Sequence, residues 1–193
     1  MGDSMKSVKI CVTLCVALAA SALPSQNLMT ARADVFGPYS ADSGPFADNY
    51  IHTWCEGLAN YIPIWRDSMQ DAMDYLDAQT DMTTGSPQTC NNSTDIWYDV
   101  YGSDVLGFYV RGLSVCRIDL TSEGVCGSAV LAMNRDLLTT YMDRRKTSCH
   151  EIGHTVGLAH SSQVTSTSDC MISGNYTFTF LNSHHKDHIN SRY

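Results

Sequence analysis

The 193 residues are 44% hydrophobic and 17% charged, enough to bury one sizeable core and too few to expect several domains. With 12 Lys plus Arg against 20 Asp plus Glu, the formal net charge is −8. That balance argues against a surface built to neutralise phosphates or anionic lipid, and no nucleic acid is expected as a partner.

Lys6 and Lys9 precede an apolar run from Ile10 to Leu23, and small-residue sites follow at Ala20-Ser21-Ala22 and Ala31-Arg32-Ala33. Residues 1–33 read as a secretory signal peptide, cleaved after Ala22 or Ala33. A membrane-spanning helix needs about 20 apolar residues, and this run stops at Pro24 and the polar Ser25-Gln26-Asn27. A lipid anchor through Cys15 lacks a small residue directly before the cysteine. The expected product is one secreted, extracellular, monomeric domain, residues 34–193, free of the membrane and carrying 9 basic and 19 acidic side chains. Cys11 and Cys15 leave with the signal. Cys55, Cys90, Cys116, Cys126, Cys149 and Cys170 remain, and an even count in an exported domain favours three disulfides.

From Asp34 to about Asn60 the chain is rich in Gly, Pro, Ser and Asp and reads as an extended lead-in. Ile62, Trp65, Met69, Ala72, Met73 and Leu76 then recur at three- and four-residue spacing, which predicts an amphipathic helix from Pro63 to about Ala78. Asp67, Asp71, Asp74 and Asp77 fall on its other side. They read as a solvated acidic face, since Ca2+ prefers loops that bring oxygens from several directions, and a calcium site has no support. Residues 80–92 are a loop tied down by Cys90. Strands are predicted at Asp95–Tyr101, Phe108–Val110, Ser114–Leu120 and Ala129–Met133 from their β-branched and aromatic content. A second helix begins near Leu137 or Asp143, so the whole is an α/β domain of the mixed, α+β kind.

His150-Glu151-Ile152-Gly153-His154-Thr155-Val156-Gly157-Leu158-Ala159-His160 fits HExxHxxGxxH at every fixed position. Chance agreement in one chain is on the order of one in a hundred thousand. On a helix His150 and His154 lie one turn apart on the same face and can bind one Zn2+ from one side. Glu151 is displaced by about 100° and is free to act as general base. Gly157 sits where a helix commonly ends in a left-handed residue. The chain can turn there and bring His160 back as a third ligand, leaving an open position, as catalytic rather than structural zinc requires.

At these residues the sequence resembles the metzincin zinc endopeptidases, and Ser161 directly after His160 makes the motif similar to that of the matrixins. In size and disulfide content the chain also looks similar to the snapalysin group, which carries Asp where this chain has His160. The resemblance implies a twisted mixed sheet, the zinc helix below a cleft, and an edge strand, assigned to Ser128–Asn134, that pairs with an extended peptide or protein substrate. It implies a methionine in a turn beneath the metal, for which Met171 is the candidate. Tyr176 is the candidate for stabilising the oxyanion, at a spacing that differs from the family's. The matrixin cysteine switch, the histidine-rich structural zinc segment and the proline after the methionine turn are not found in the sequence.

If the turn lies under the metal, Cys149 and Cys170 approach one another and pair. Cys116–Cys126 is then a local clasp and Cys55–Cys90 follows by elimination. His184, His185 and His188 invite a second metal site, but a short terminal helix burying His185, Ile189 and Tyr193 along one side accounts for them better. The function expected is hydrolysis of internal peptide bonds by a secreted zinc enzyme. The alternative is a zinc-stabilised binding module on the same scaffold without turnover, in which Glu151 would have no task.

Overall fold

In the computed structural model, residues 45–57, 63–120, 124–161 and 169–193 are described. The chain lays down three short strands, β1 (Phe46–Ala47), β2 (Ile51–His52) and β3 (Trp54–Glu56), then helix α1 (Pro63–Gln79), β4 (Thr83–Thr84) and β5 (Ile96–Tyr101). The single turn α2 (Ser103–Leu106), β6 (Gly112–Asp119), β7 (Val125–Asn134), α3 (Tyr141–Thr155) and α4 (Ser183–Arg192) follow. These elements belong to one unit, Arg32–Tyr193. The expected signal peptide, residues 1–33, lies outside the described residues.

Strict alternation builds the sheet: Ile96, Tyr98 and Val100 of β5 are buried while Trp97, Asp99 and Tyr101 are not, as a half-covered strand requires. β5 lies between β3 and β7, parallel to both, and β1 pairs in parallel with the start of β7. β6 runs antiparallel along the other side of β7, with a register shift near Ile118. The result is the expected mixed sheet. α3 packs on β6 and β7, and α1 packs on α3. Trp65, Met69, Met73 and Leu76 of α1 meet Leu131, Met133, Ile152 and Val156 in one core.

Three expectations need correction. Ser128–Asn134 is not an edge, because β7 is flanked by β5 on one side and β6 on the other; β6 is the antiparallel edge strand. Phe108–Val110 forms no strand. Gly107, at φ 96°, ends α2 and sends those residues over the surface, where Tyr109 is 97% exposed. The glycine-rich lead-in, in turn, contributes β1, β2 and β3, and Trp54 within it is fully buried. Its strands are too short for any periodicity to register.

α1 matches the expected span, and its acidic face stays on the protein's own surface: Asp74 accepts from Gln70 and Asp77 from the Thr84 amide. Thr140 and Asp143 cap α3 reciprocally, each side chain accepting from the other's amide at 3.1 Å, which fixes the start of that helix. Disulfides join Cys55–Cys90, Cys116–Cys126 and Cys149–Cys170, all three as expected. No helix among the described residues is long and apolar enough to cross a membrane.

His52 ties β2 to the end of α3. Thr155 Oγ1 donates to the Ile152 carbonyl, so its lone pair accepts from His52 Nε2 at 2.8 Å. His52 Nδ1 is buried with no hydrogen-bond partner, an arrangement that suits only the neutral ring, and burial pushes the pKa down to about 4. A histidine whose folded pKa is depressed contributes stability that is complete above its unfolded value and is lost as pH falls toward the folded one. Unfolding free energy should therefore drop by about 3 kcal/mol between pH 6.5 and 4 on account of this residue. Denaturant titrations of His52→Gln should show a shallower loss over that window; an identical slope would refute the assignment.

Candidate metal centre

The last turn of α3 is built to reverse the chain. Leu158 N donates to the Gly153 carbonyl and Gly157 N to that of His154, with Gly157 at φ 91°, the paired bonds of a Schellman ending. This return brings His160 back to the histidines of the helix. His154 Nε2 lies 3.3 Å from His150 Nε2 and 3.1 Å from His160 Nε2. The three residues form a group able to hold a metal ion.

The tautomers explain why a cation belongs there. His150 Nδ1 donates to the Cys170 carbonyl at 2.7 Å, and His154 Nδ1 to that of Leu158 at 2.9 Å. With Nδ1 protonated on both rings, their Nε2 atoms carry lone pairs, and two lone pairs at that distance cannot hydrogen-bond each other. Zn–N bonds of about 2.0–2.1 Å at tetrahedral angles put ligand nitrogens about 3.3 Å apart, so the donor set and spacing fit zinc. Burial, with His154 and Lys146 nearby, holds His150 well below its ordinary pKa and keeps it in the ligating form.

Glu151 is buried and turned toward the edge strand. It accepts from the Ser114 amide, and burial raises its pKa to about 8 against the pull of Lys146 and that amide. A Cβ on Gly112 would come within 2.6 Å of Glu151 Oε1, so a glycine is needed for β6 to lie on this carboxylate. Lys146 is itself pulled down to about 8 by burial and donates to the Ile172 carbonyl at 2.7 Å.

Met171 lies beneath the helix. Its sulfur occupies the space of a Cβ on Gly153, 2.3 Å away from where that atom would be, and it is fully buried. Asp169 sets the turn around it, accepting from the Met171 amide at 2.9 Å and from Ser161 Oγ at 3.1 Å with one oxygen. Its other oxygen accepts from the Asn182 amide and, in a very short contact, from His185 Nδ1. Burial alone would raise the Asp169 carboxyl, but these hydrogen bonds hold it below its ordinary range. His185 and Ile189 are buried on α4, as expected. Tyr193, part-buried, accepts from the Ala47 amide.

The three histidines thus come together, Met171 packs under Gly153, and the Cys149–Cys170 bridge holds the carbonyl that meets the His150 ring, while Glu151, one position after His150, faces β6. Tyr176 is engaged otherwise: its ring is 38% exposed and stacks on Phe178 with centroids 5.9 Å apart. Sequence reading missed Gly112, Ser114, Lys146, Gly153 and Asp169. Only Gly153 carried a signal, since a glycine inside a helix costs about 1 kcal/mol and asks for a packing reason.

A three-histidine centre on a mixed α/β scaffold is the class defined by this geometry. No protein-family model matches the sequence, and no curated protein is similar to it. Among solved structures the chain is similar to high choriolytic enzyme 1, a hatching enzyme zinc-protease from Oryzias latipes (medaka fish), at 15% identity and a TM-score of 0.35. The match covers 66% of this chain and 54% of that one. A likeness that faint says nothing of the reaction.

Two substitutions probe the supports. Asp169→Asn leaves amide donors facing donors and should cost about 3–5 kcal/mol in denaturant unfolding, with zinc affinity falling about 10–100-fold in competition titrations. Unchanged affinity in the folded variant would show that Asp169 does not govern the third ligand. Gly153→Ala should cost about 1–3 kcal/mol by overpacking Met171, and less in a Met171→Ala background, where the thioether is gone.

Proposed function

We propose that this protein is a secreted, zinc-dependent endopeptidase of the metzincin type, with His150, His154 and His160 as metal ligands and Glu151 as general base. The observation that carries the reading is the pairing of a three-histidine group with a buried carboxylate one position after His150 on α3. A site that only stabilised the fold would close its coordination with a fourth protein ligand and would gain nothing from burying Glu151.

Zinc, when bound, supplies Lewis acidity toward a scissile carbonyl and acidifies water at neutral pH. The chain supplies the rest. Glu151 takes a proton from the attacking water on its carboxylate and returns it to the departing amine nitrogen, so the base is regenerated in each cycle. β6 pairs only with β7 among the described strands, and an extended substrate added along its other side would lie next to Glu151. Tyr176 in the role of oxyanion donor would have to leave its stack on Phe178. Met171 and the Asp169 contacts act as a floor that holds the helix and the third ligand in register. Three disulfides support an oxidising, extracellular setting.

The oxidised, zinc-loaded protein should cut an unfolded protein substrate at internal bonds. Glu151→Gln, at equal zinc content, should lower the rate about 10²–10⁴-fold. Absence of cleavage by the parent enzyme with zinc in place would favour the non-catalytic binding module.

A further inference from the structure

α4 carries a second pair of imidazoles that the proposed reaction does not use. His184 and His188 stand one turn apart, with Nε2 atoms 3.0 Å and ring centroids 4.3 Å from each other. On α3, His150 and His154 show the same i, i+4 relation at 3.3 Å and 4.8 Å. Within each pair the rings thus lie at similar range, with ring planes 68° apart on α4 and 90° apart on α3, although only the α3 pair belongs to the three-residue group.

The backbone under the second pair is anchored. Asn182 caps α4 by accepting from the His185 amide, and His185 is locked to Asp169. Ile189 is fully buried, and the Tyr193 hydroxyl accepts from the Ala47 amide at 2.8 Å. With those residues facing inward, His184 is exposed and His188 half-buried on the outer side. The backbone that carries both rings is thus already ordered, and only side-chain freedom is lost when the rings turn to a common point.

We propose that His184 and His188 form a second, surface metal site, a two-imidazole chelate for a divalent transition ion such as zinc, distinct from the centre at His150, His154 and His160. Imidazole nitrogens select this class over calcium or magnesium, which take oxygen ligands. The net charge of −8 favours any cation at the surface. A pair of ligands holds the ion less tightly than three, so this site fills after the first and exchanges with free zinc.

Equilibrium dialysis of the full chain against zinc tests this without reference to peptide hydrolysis. The parent should take up a second equivalent with a Kd of about 1 mM or tighter. His184→Gln/His188→Gln should lose one equivalent relative to the parent while retaining the first. The proton resonances of His184 and His188 should shift together as the second equivalent binds. An equal count in parent and double variant, or a second equivalent that shifts neither ring, would overturn the proposal. Because the readout is the difference in count, an empty first site would leave it intact.

Discussion

The Nε2 lone pairs of His150 and His154 cannot lie 3.3 Å apart without a positive charge between them, and the C-terminal half of the chain is organised to impose that approach and to bring His160 beside it. Two rings come from one helix face, where spacing alone brings them together. The third arrives because Gly157 takes a left-handed conformation that reverses the chain. Backbone carbonyls of Cys170 and Leu158 take the Nδ1 protons, so the nitrogens that face one another are the ones without hydrogens. The preference for a cation is thus set by hydrogen bonds made on the far side of each ring.

The turn that carries the Cys170 carbonyl is held in place by Asp169. One carboxylate joins the residue after the third histidine, the turn of Met171, the cap of α4 and the His185 ring. Burying such a group is costly unless every lone pair is satisfied, and here the partners are drawn from three different stretches of chain. The Cys149–Cys170 disulfide and the Lys146 bond to Ile172 fasten the same turn to α3 from its other sides. Local rigidity at the metal centre therefore comes from contacts distant in sequence.

What could be read in advance follows from how far each signal reaches. The 3.6-residue period of α1 and the i, i+4 histidines of α3 are properties of one helix, and both appear where expected. The strands at residues 96–101 and within 125–134 were visible from composition, but not which of them stood at the sheet's edge. Ser128–Asn134 looks like an edge candidate in isolation, yet it is the most heavily paired strand, because β6 folds back along it. Phe108–Val110 has strand-like residues and no neighbouring strand to pair with, so propensity had nothing to act on.

The sequence by itself determined which three histidines could share a cation, the neighbouring carboxylate and the helix-ending glycine, because these are written in residue type and short spacing; the even cysteine count pointed to three disulfides, and the fold decided their partners. Only the tertiary structure decided which strand borders Glu151, why positions 112 and 153 must be glycine, and how Asp169 joins three segments. Those features depend on atoms that meet across 8 to 39 residues of chain, and no local pattern records which surfaces will touch. A glycine's need for empty space is set by the neighbour that fills it, as Glu151 does at Gly112 and Met171 does at Gly153.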